Sequence, residues 1–217
     1  MSLSTYSEIK TGVANYLNRD DLTSSIPDFI TLTENRLDRE LRARVNLVRV
    51  ETTTTADTAF YDLPSDLIEL RNVTYETSSN NSYALSYLSP ESGSREYGSV
   101  GSGAPRAYTN LGKNIQLFPT PDGAYTLGLS YFKKLVPLSD SVTTNDILNS
   151  FPDLYLFGSC LEGAIYLNDT DQTQRFFAIY KQAIDGVKAA EESARFSGTV
   201  MQMTVQGDPG SLVRRGA

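Results

Sequence analysis

Histidine and tryptophan are absent from this 217-residue chain, and cysteine occurs once, at Cys160. Without histidine there is no Ser-His-Asp arrangement, and both the side chain that titrates nearest neutrality and the commonest metal ligand are missing. A single cysteine excludes an internal disulfide and a thiolate cluster for zinc, so stability has to come from packing. No apolar run approaches the ~20 residues that cross a bilayer. The opening Met1-Ser2-Leu3-Ser4-Thr5 also lacks the basic flank and apolar stretch of a secretory signal, so the expectation is folding in a cytoplasm with no membrane partner.

Positive charge is scarce as well. Lys and Arg number 19 against 26 Asp and Glu, a formal net charge of −7. A surface that coats nucleic acid needs a concentrated basic patch, which this balance opposes. A wall past which DNA must slide gains from not attracting it, so the charge suits a conduit as well as it suits an ordinary soluble domain.

What is present is a globular balance of 40% hydrophobic and 21% charged residues. Thr5-Tyr6-Ser7-Glu8 reads as a capping box, followed by Ile9, Val13, Tyr16 and Leu17 at helical spacing. A second helix is expected from the candidate cap Ser25, with Pro27 in its first turn and Ile26, Phe29, Ile30, Leu37 and Leu41 along its buried stripe. Arg36, Arg39, Arg42 and Arg44 close it, mixed with Glu34, Asp38 and Glu40, which predicts a solvated or subunit-facing surface rather than a DNA-binding one. From Val45 the texture changes to β-branched and aromatic residues. Strands are expected in 48–54, 68–75, 114–118 and 125–132, with a turn at 119–123.

Within that region the Gly- and Ser-rich stretch 91–104 reads as a flexible loop. Helical period returns after Asn149, with Ser150 as cap and Leu154, Phe157, Leu161, Ala164 and Ile165 on one face. Its apolar arc also takes in Leu156, Cys160 and Leu167, so this helix calls for neighbours on more than one side, as adjacent subunits would provide. A last amphipathic helix starts at a cap in Thr170-Asp171 and carries Phe176, Ile179, Tyr180, Ala183, Val187, Ala190 and Ala194. The expected fold class is α+β: a helical bundle from 1–44 and 150–196, an inserted antiparallel β domain at 45–149, and an extended C-terminal arm at 197–217.

The arm contains Gly198, Gly207, Pro209, Gly210 and Gly216 and one short alternating piece, Val200-Met201-Gln202-Met203-Thr204-Val205. Such a stretch does not bury itself. It is either a disordered terminus or an arm that gains order by adding a strand to, or anchoring side chains on, a neighbouring chain.

Catalytic constellations are thin. Gly158-Ser159-Cys160 lacks the second glycine of a nucleophile elbow, and Cys160 fits a small core residue. Gly98, Gly101 and Gly103 are followed by no GK[ST]. Asp62, Asp66 and Glu69, and separately Asp169 and Asp171, raise a paired-acid hydrolase or a calcium site, without ligand spacing for either. Asp66 reads more simply as a turn residue and Asp171 as a helix cap. No catalytic residue, metal ligand or cofactor is predicted. If the chain were a cell-wall hydrolase, Asp62 and Asp66 would be its acids.

A series of blocks carries a resemblance: Phe60-Tyr61-Asp62-Leu63-Pro64-Ser65-Asp66-Leu67, Leu85-Ser86-Tyr87-Leu88-Ser89-Pro90-Glu91, Gly103-Ala104-Pro105-Arg106-Ala107-Tyr108-Thr109, Leu117-Phe118-Pro119-Thr120-Pro121-Asp122-Gly123, Pro152-Asp153-Leu154-Tyr155-Leu156-Phe157-Gly158, and the closing Ala194-Arg195-Phe196-Ser197-Gly198. Their order over about residues 5–198 resembles the phage head-to-tail adaptor (connector) family, similar to the tail tubular protein A of short-tailed phages. The resemblance implies a structural virion protein made in the bacterial cytoplasm. It would assemble as a twelve-subunit ring between the portal protein and a downstream tail or nozzle protein, with DNA passing through unrecognised by sequence. Val200, Met201, Met203, Val205, Leu212, Val213, Arg214 and Arg215 of the arm are then the expected portal or neighbour-subunit contacts. A tail-completion or fibre-attachment ring would share the same composition.

Overall fold

The computed structural model describes residues 3–77 and 81–195. The chain is α+β, in the order α1 (Tyr6–Leu17), α2 (Ile26–Glu40), a 3₁₀ turn (Arg44–Asn46), β1 (Leu47–Thr53), β2 (Phe60–Asp62), β3 (Leu67–Glu76), β4 (Ser82–Ala84), β5 (Ser86–Tyr87), α3 (Pro90–Tyr97), β6 (Ala107–Leu111), β7 (Asn114–Phe118), β8 (Thr126–Lys133), α4 (Asp146–Ser150), α5 (Pro152–Tyr166) and α6 (Thr170–Arg195).

The capping box forms as spelled: the Thr5 hydroxyl accepts from the Glu8 N–H at 3.3 Å, and the Glu8 carboxylate accepts from the Thr5 N–H at 3.0 Å. Ser25 stands at the α2 N-cap position without a side-chain bond, and Pro27 fills the first turn. Two other helix starts differ from expectation. Asn145 opens α4, taking the Leu148 N–H at 2.9 Å, so Ser150 is that helix's last residue instead of a cap. Phe151, which precedes Pro152 and leaves the helical region with φ −140° and ψ 63°, then separates α4 from α5. At α6 the cap is Asp169, whose carboxylate accepts from the Gln172 N–H at 3.0 Å; Asp171 already lies inside the helix, past the capping position.

The strands form two four-stranded sheets, ordered β1-β8-β3-β4 and β2-β7-β6-β5. Pairing is antiparallel except for β5 and β6, which run parallel through Ser86 to Ala107 and Tyr87 to Tyr108. A parallel pair needs a crossover, and α3 supplies it. The stretch expected to be a flexible loop is therefore helical over Pro90–Tyr97, with Ser89 capping it. Glycine serves close approach here: a Cβ on Gly93 would lie 2.4 Å from the Phe118 ring. Val73, Leu127, Leu129 and Tyr131 of one sheet and Tyr108, Ile115 and Leu117 of the other share one core, joined by Leu85.

A second core is built from Ile9 and Val13 of α1, Ile26, Phe29, Ile30 and Leu37 of α2, Leu154, Tyr155 and Leu161 of α5, and Phe176, Tyr180 and Ile184 of α6. It extends to Leu135, Leu138, Ile147 and Leu148, so apolar residues of the segment after β8 join the helical core. Helix α5 packs against α1, α2, α4 and α6 within the same subunit. Much of its broad apolar arc is thus covered within the subunit, while Ile165 and Tyr166 at its C-terminal end stay 46% and 60% exposed. Gly158 and Gly163 allow this crowding, since added Cβ atoms would stand 2.4 Å from Thr33 Cγ2 and 2.6 Å from Leu17 Cδ1.

Candidate interaction surfaces

Glu34 and Asp38 of α2 are turned inward on the subunit, contrary to the solvated surface expected from the mixture of charges, whereas Arg39 and Glu40 are exposed as expected. Asp38 and Glu34, one turn apart, accept backbone N–H groups from the segment that follows β8: Leu135 to Asp38 Oδ1 at 2.9 Å and Leu138 to Glu34 Oε1 at 2.8 Å. The Tyr155 hydroxyl donates to the same Glu34 oxygen at 3.4 Å and accepts from Asn145 Nδ2 at 2.7 Å. Asn145 also donates to the Val136 carbonyl at 2.8 Å. Burial raises the Glu34 carboxyl to about 6, against the opposing pull of the Leu138 and Tyr155 hydrogen bonds. Burial likewise raises Asp38. An acid near 6 is in the range useful for proton transfer, but Glu34 is 5% exposed and already accepts two hydrogen bonds. It fastens a joint between the helices and the segment leaving β8.

Three of the four arginines are paired too. Arg36 meets Glu162 of α5, Arg42 meets Glu69 of β3 at 2.9 Å, and Arg44 gives both its backbone N–H and its Nε–H to Glu191 of α6, at 2.9 and 3.1 Å. Three cations that a sequence offers to phosphate are thus engaged by carboxylates.

The acids singled out for chemistry serve separate tasks. Asp62 accepts from Asn114 Nδ2 at 3.1 Å, Asp66 from the Tyr131 hydroxyl at 2.9 Å, and Glu69 pairs with Arg42. Asp62 does border a cavity of about 370 Å³, with Ser65 and Lys113 on its rim, and Asp66 is not among its lining residues. Among the described residues no group of three metal-capable side chains occurs, and none of their helices is long and apolar enough to cross a membrane. Cys160 is buried, which pushes its thiol up to about 12 and leaves it protonated at neutral pH.

What stands open is apolar surface. Between α5 and α6 a shallow groove of about 460 Å³ is lined by Phe151, Phe157, Ile179, Ala183, Val187 and Ala190 among others. Tyr16 of α1 stands edge-on to Phe157, 5.7 Å between centroids, and is half exposed. The signal for this groove was in the α6 pattern: Ile179, Ala183 and Ala190 belong to its apolar stripe, yet the inward contacts are made by Phe176, Tyr180, Ile184 and Val187. On the β side, Tyr97, Val100 to Ala104, Arg106 and Pro119 border a smaller hollow of about 260 Å³. The expected contacts of the arm, Val200, Met201, Met203, Val205, Leu212, Val213, Arg214 and Arg215, lie outside the described residues.

The subunit is α+β and carries an open apolar groove between α5 and α6. Residues 4–203 match the family of the SU10 adaptor protein, and the chain belongs to that family. No curated protein matches the chain.

Proposed function

We propose that this chain is a structural, non-enzymatic virion protein: a phage head-to-tail adaptor, similar to tail tubular protein A, that forms a ring joining the portal to the tail and lining the DNA exit channel. The single observation that carries this reading is the match to an adaptor family over residues 4–203. The ring has about twelve copies by analogy with the resemblance, and closed rings of identical subunits need two different complementary surfaces on each copy. The α5–α6 groove supports one of them.

In this reading the helices from 1–44 and 150–196 form a bundle that builds the ring wall. The β domain inserted at 45–149 presents its loops to the downstream tail or nozzle protein. The arm, 197–217, orders against the portal or an adjacent adaptor through Val200, Met201, Met203, Val205, Leu212, Val213, Arg214 and Arg215. DNA passes without sequence-specific contact, and the net charge of −7 favours a wall that does not retain it. The protein is made in the bacterial cytoplasm and ends at the head-tail junction.

Mass photometry and negative-stain microscopy of the purified chain, alone and mixed with portal assemblies, test the reading. Closed rings, or rings capping portals, are expected. A monomer indifferent to every portal offered would overturn it. Trimming the chain after Ser197 is expected to leave a folded subunit that no longer joins portals, and unaltered joining would remove the arm from the account.

A further inference from the structure

Both sheets end in edges, and three of the four edges are short: three residues each in β2 and β4 and two in β5. The fourth, β1, is seven residues long and pairs with β8 without a register break from Leu47 opposite Phe132 to Thr53 opposite Thr126. Among the described residues no strand pairs with its other side. Alternate N–H and C=O groups of β1 therefore point outward with no ladder partner. Of the usual protections of a long edge, the strand Leu47-Val48-Arg49-Val50-Glu51-Thr52-Thr53 has the charges of Arg49 and Glu51 but no proline, no lysine and no bulge.

The side chains show that the sheet stops one strand short. Val48, Val50 and Thr52 stand opposite Tyr131, Leu129 and Leu127 of β8, so they share the face that covers the β core. Leu129 is 3% exposed there, yet Val50 beside it is 41% exposed. Arg49, on the other face, reaches across to Glu76 at 2.8 Å and closes that side.

One segment of the chain has the complementary pattern. Residues 200–205, Val200-Met201-Gln202-Met203-Thr204-Val205, contain no charge, glycine or proline and alternate with period two. They also start from the right place. The two hydrogen bonds from Arg44 to Glu191 hold the last turns of α6 three residues before β1 begins. From Arg195, four extended residues span roughly 13 Å, a reach that begins one helical turn beyond the Glu191 contact to Arg44.

We propose that the free edge of β1 receives residues 200–205 of the same chain, which pair with it as a fifth strand, parallel to β1, in the unassembled subunit. Met201, Met203 and Val205 extend the apolar face beside Val48 and Val50, and Val200, Gln202 and Thr204 continue the outer face beside Arg49, Glu51 and Thr53. An arm held in this way also keeps a long edge from pairing with other copies before assembly. The pairing belongs to the free subunit and does not depend on its joining a portal.

Hydrogen exchange on the full chain tests it, compared with full-length Met203→Pro, which removes an N–H and a compatible backbone from the added strand, and with the chain ending at Ser197. Exchange in the peptide covering 47–53 is expected to rise by about tenfold or more in both variants while β8 and α5 are unchanged. Equal exchange in all three overturns the proposal. A second measurement pairs Val50→Cys with Met203→Cys in dilute oxidised protein. A disulfide within one chain, giving monomer mass on a non-reducing gel, is expected. Crosslinks found only between copies and growing with protein concentration, or no crosslink at all, overturn pairing within the chain. Portal capture by the unmutated protein is scored separately, so failure of this pairing and failure of the adaptor reading are told apart.

Discussion

Replacing Glu34 by glutamine isolates the buried joint between α2 and the segment after β8. The amide oxygen of the introduced side chain retains an acceptor for the Leu138 N–H and the Tyr155 hydroxyl, so the geometry is kept while the titration is removed. With the wild-type carboxyl at about 6 against an ordinary 4.5, the folded state binds more protons than the unfolded state across that interval. Stability contributed by the neutral acid is therefore complete below the ordinary value and is lost as pH rises through about 6. The gap is worth ~2 kcal/mol. Asp38, Lys134 and Tyr155 face the same site in both proteins and largely cancel in the comparison. Urea unfolding midpoints for the two chains between about pH 4 and pH 8 provide the assay. The stability difference, Glu34→Gln minus wild type, is expected to move by ~2 kcal/mol in favour of the variant over that range. A difference that stays constant with pH, or that moves the other way, would refute the assignment of a raised carboxyl at this joint.

Three further outcomes follow from the packing. Gly158→Ala places a methyl 2.4 Å from the stiff Thr33 side chain in the centre of the helical core, and a loss of about 1–3 kcal/mol is expected in denaturant melts. Tyr155→Phe leaves Asn145 Nδ2 without its hydroxyl acceptor and removes a donor from Glu34, which should lower stability by about 1–3 kcal/mol in denaturant melts; combined with Glu34→Gln the two effects should not add. Ile179→Asp, at a half-buried position of the α5–α6 groove, should leave the circular dichroism spectrum intact and abolish rings in mass photometry; rings of normal abundance would remove the groove from the subunit contact.

Local chemistry was legible where a few neighbouring residues settle it. Thr5 and Glu8 spell their capping box, and the alternations at 114–118 and 125–132 predict β7 and β8 nearly to the residue. The α+β class follows from the change of period at Val45. What escaped depends on partners distant in sequence. Glu34 and Asp38 look like solvent-facing charges on an amphipathic helix, and nothing local announces that Leu138 and Leu135, about a hundred positions away, turn their N–H groups onto them. Gly93 looks like a loop residue until the Phe118 ring is laid over it. The breadth of the apolar arc on α5 signals a helix enclosed on several sides, but it does not distinguish neighbours in another subunit from neighbours in the same chain. The parallel β5–β6 pair involves two-residue contacts too short to leave a pattern.

The helical core draws on both ends of the chain, and this has a consequence for synthesis. Tyr6 to Leu41 leave the ribosome early, while their packing partners on α5 begin at Leu154. Roughly 110 residues separate Leu41 from Leu154, which at ribosomal elongation speeds is on the order of 5–20 s. During that interval the strands, all contained between Leu47 and Lys133, can close their own core, whereas the apolar stripes of α1 and α2 lack α5 and α6, which cover most of them in the folded subunit. Nascent chains of this protein are thus obliged to keep the first two helices from straying, and a holdase that binds exposed leucine and isoleucine would act on them before any other part.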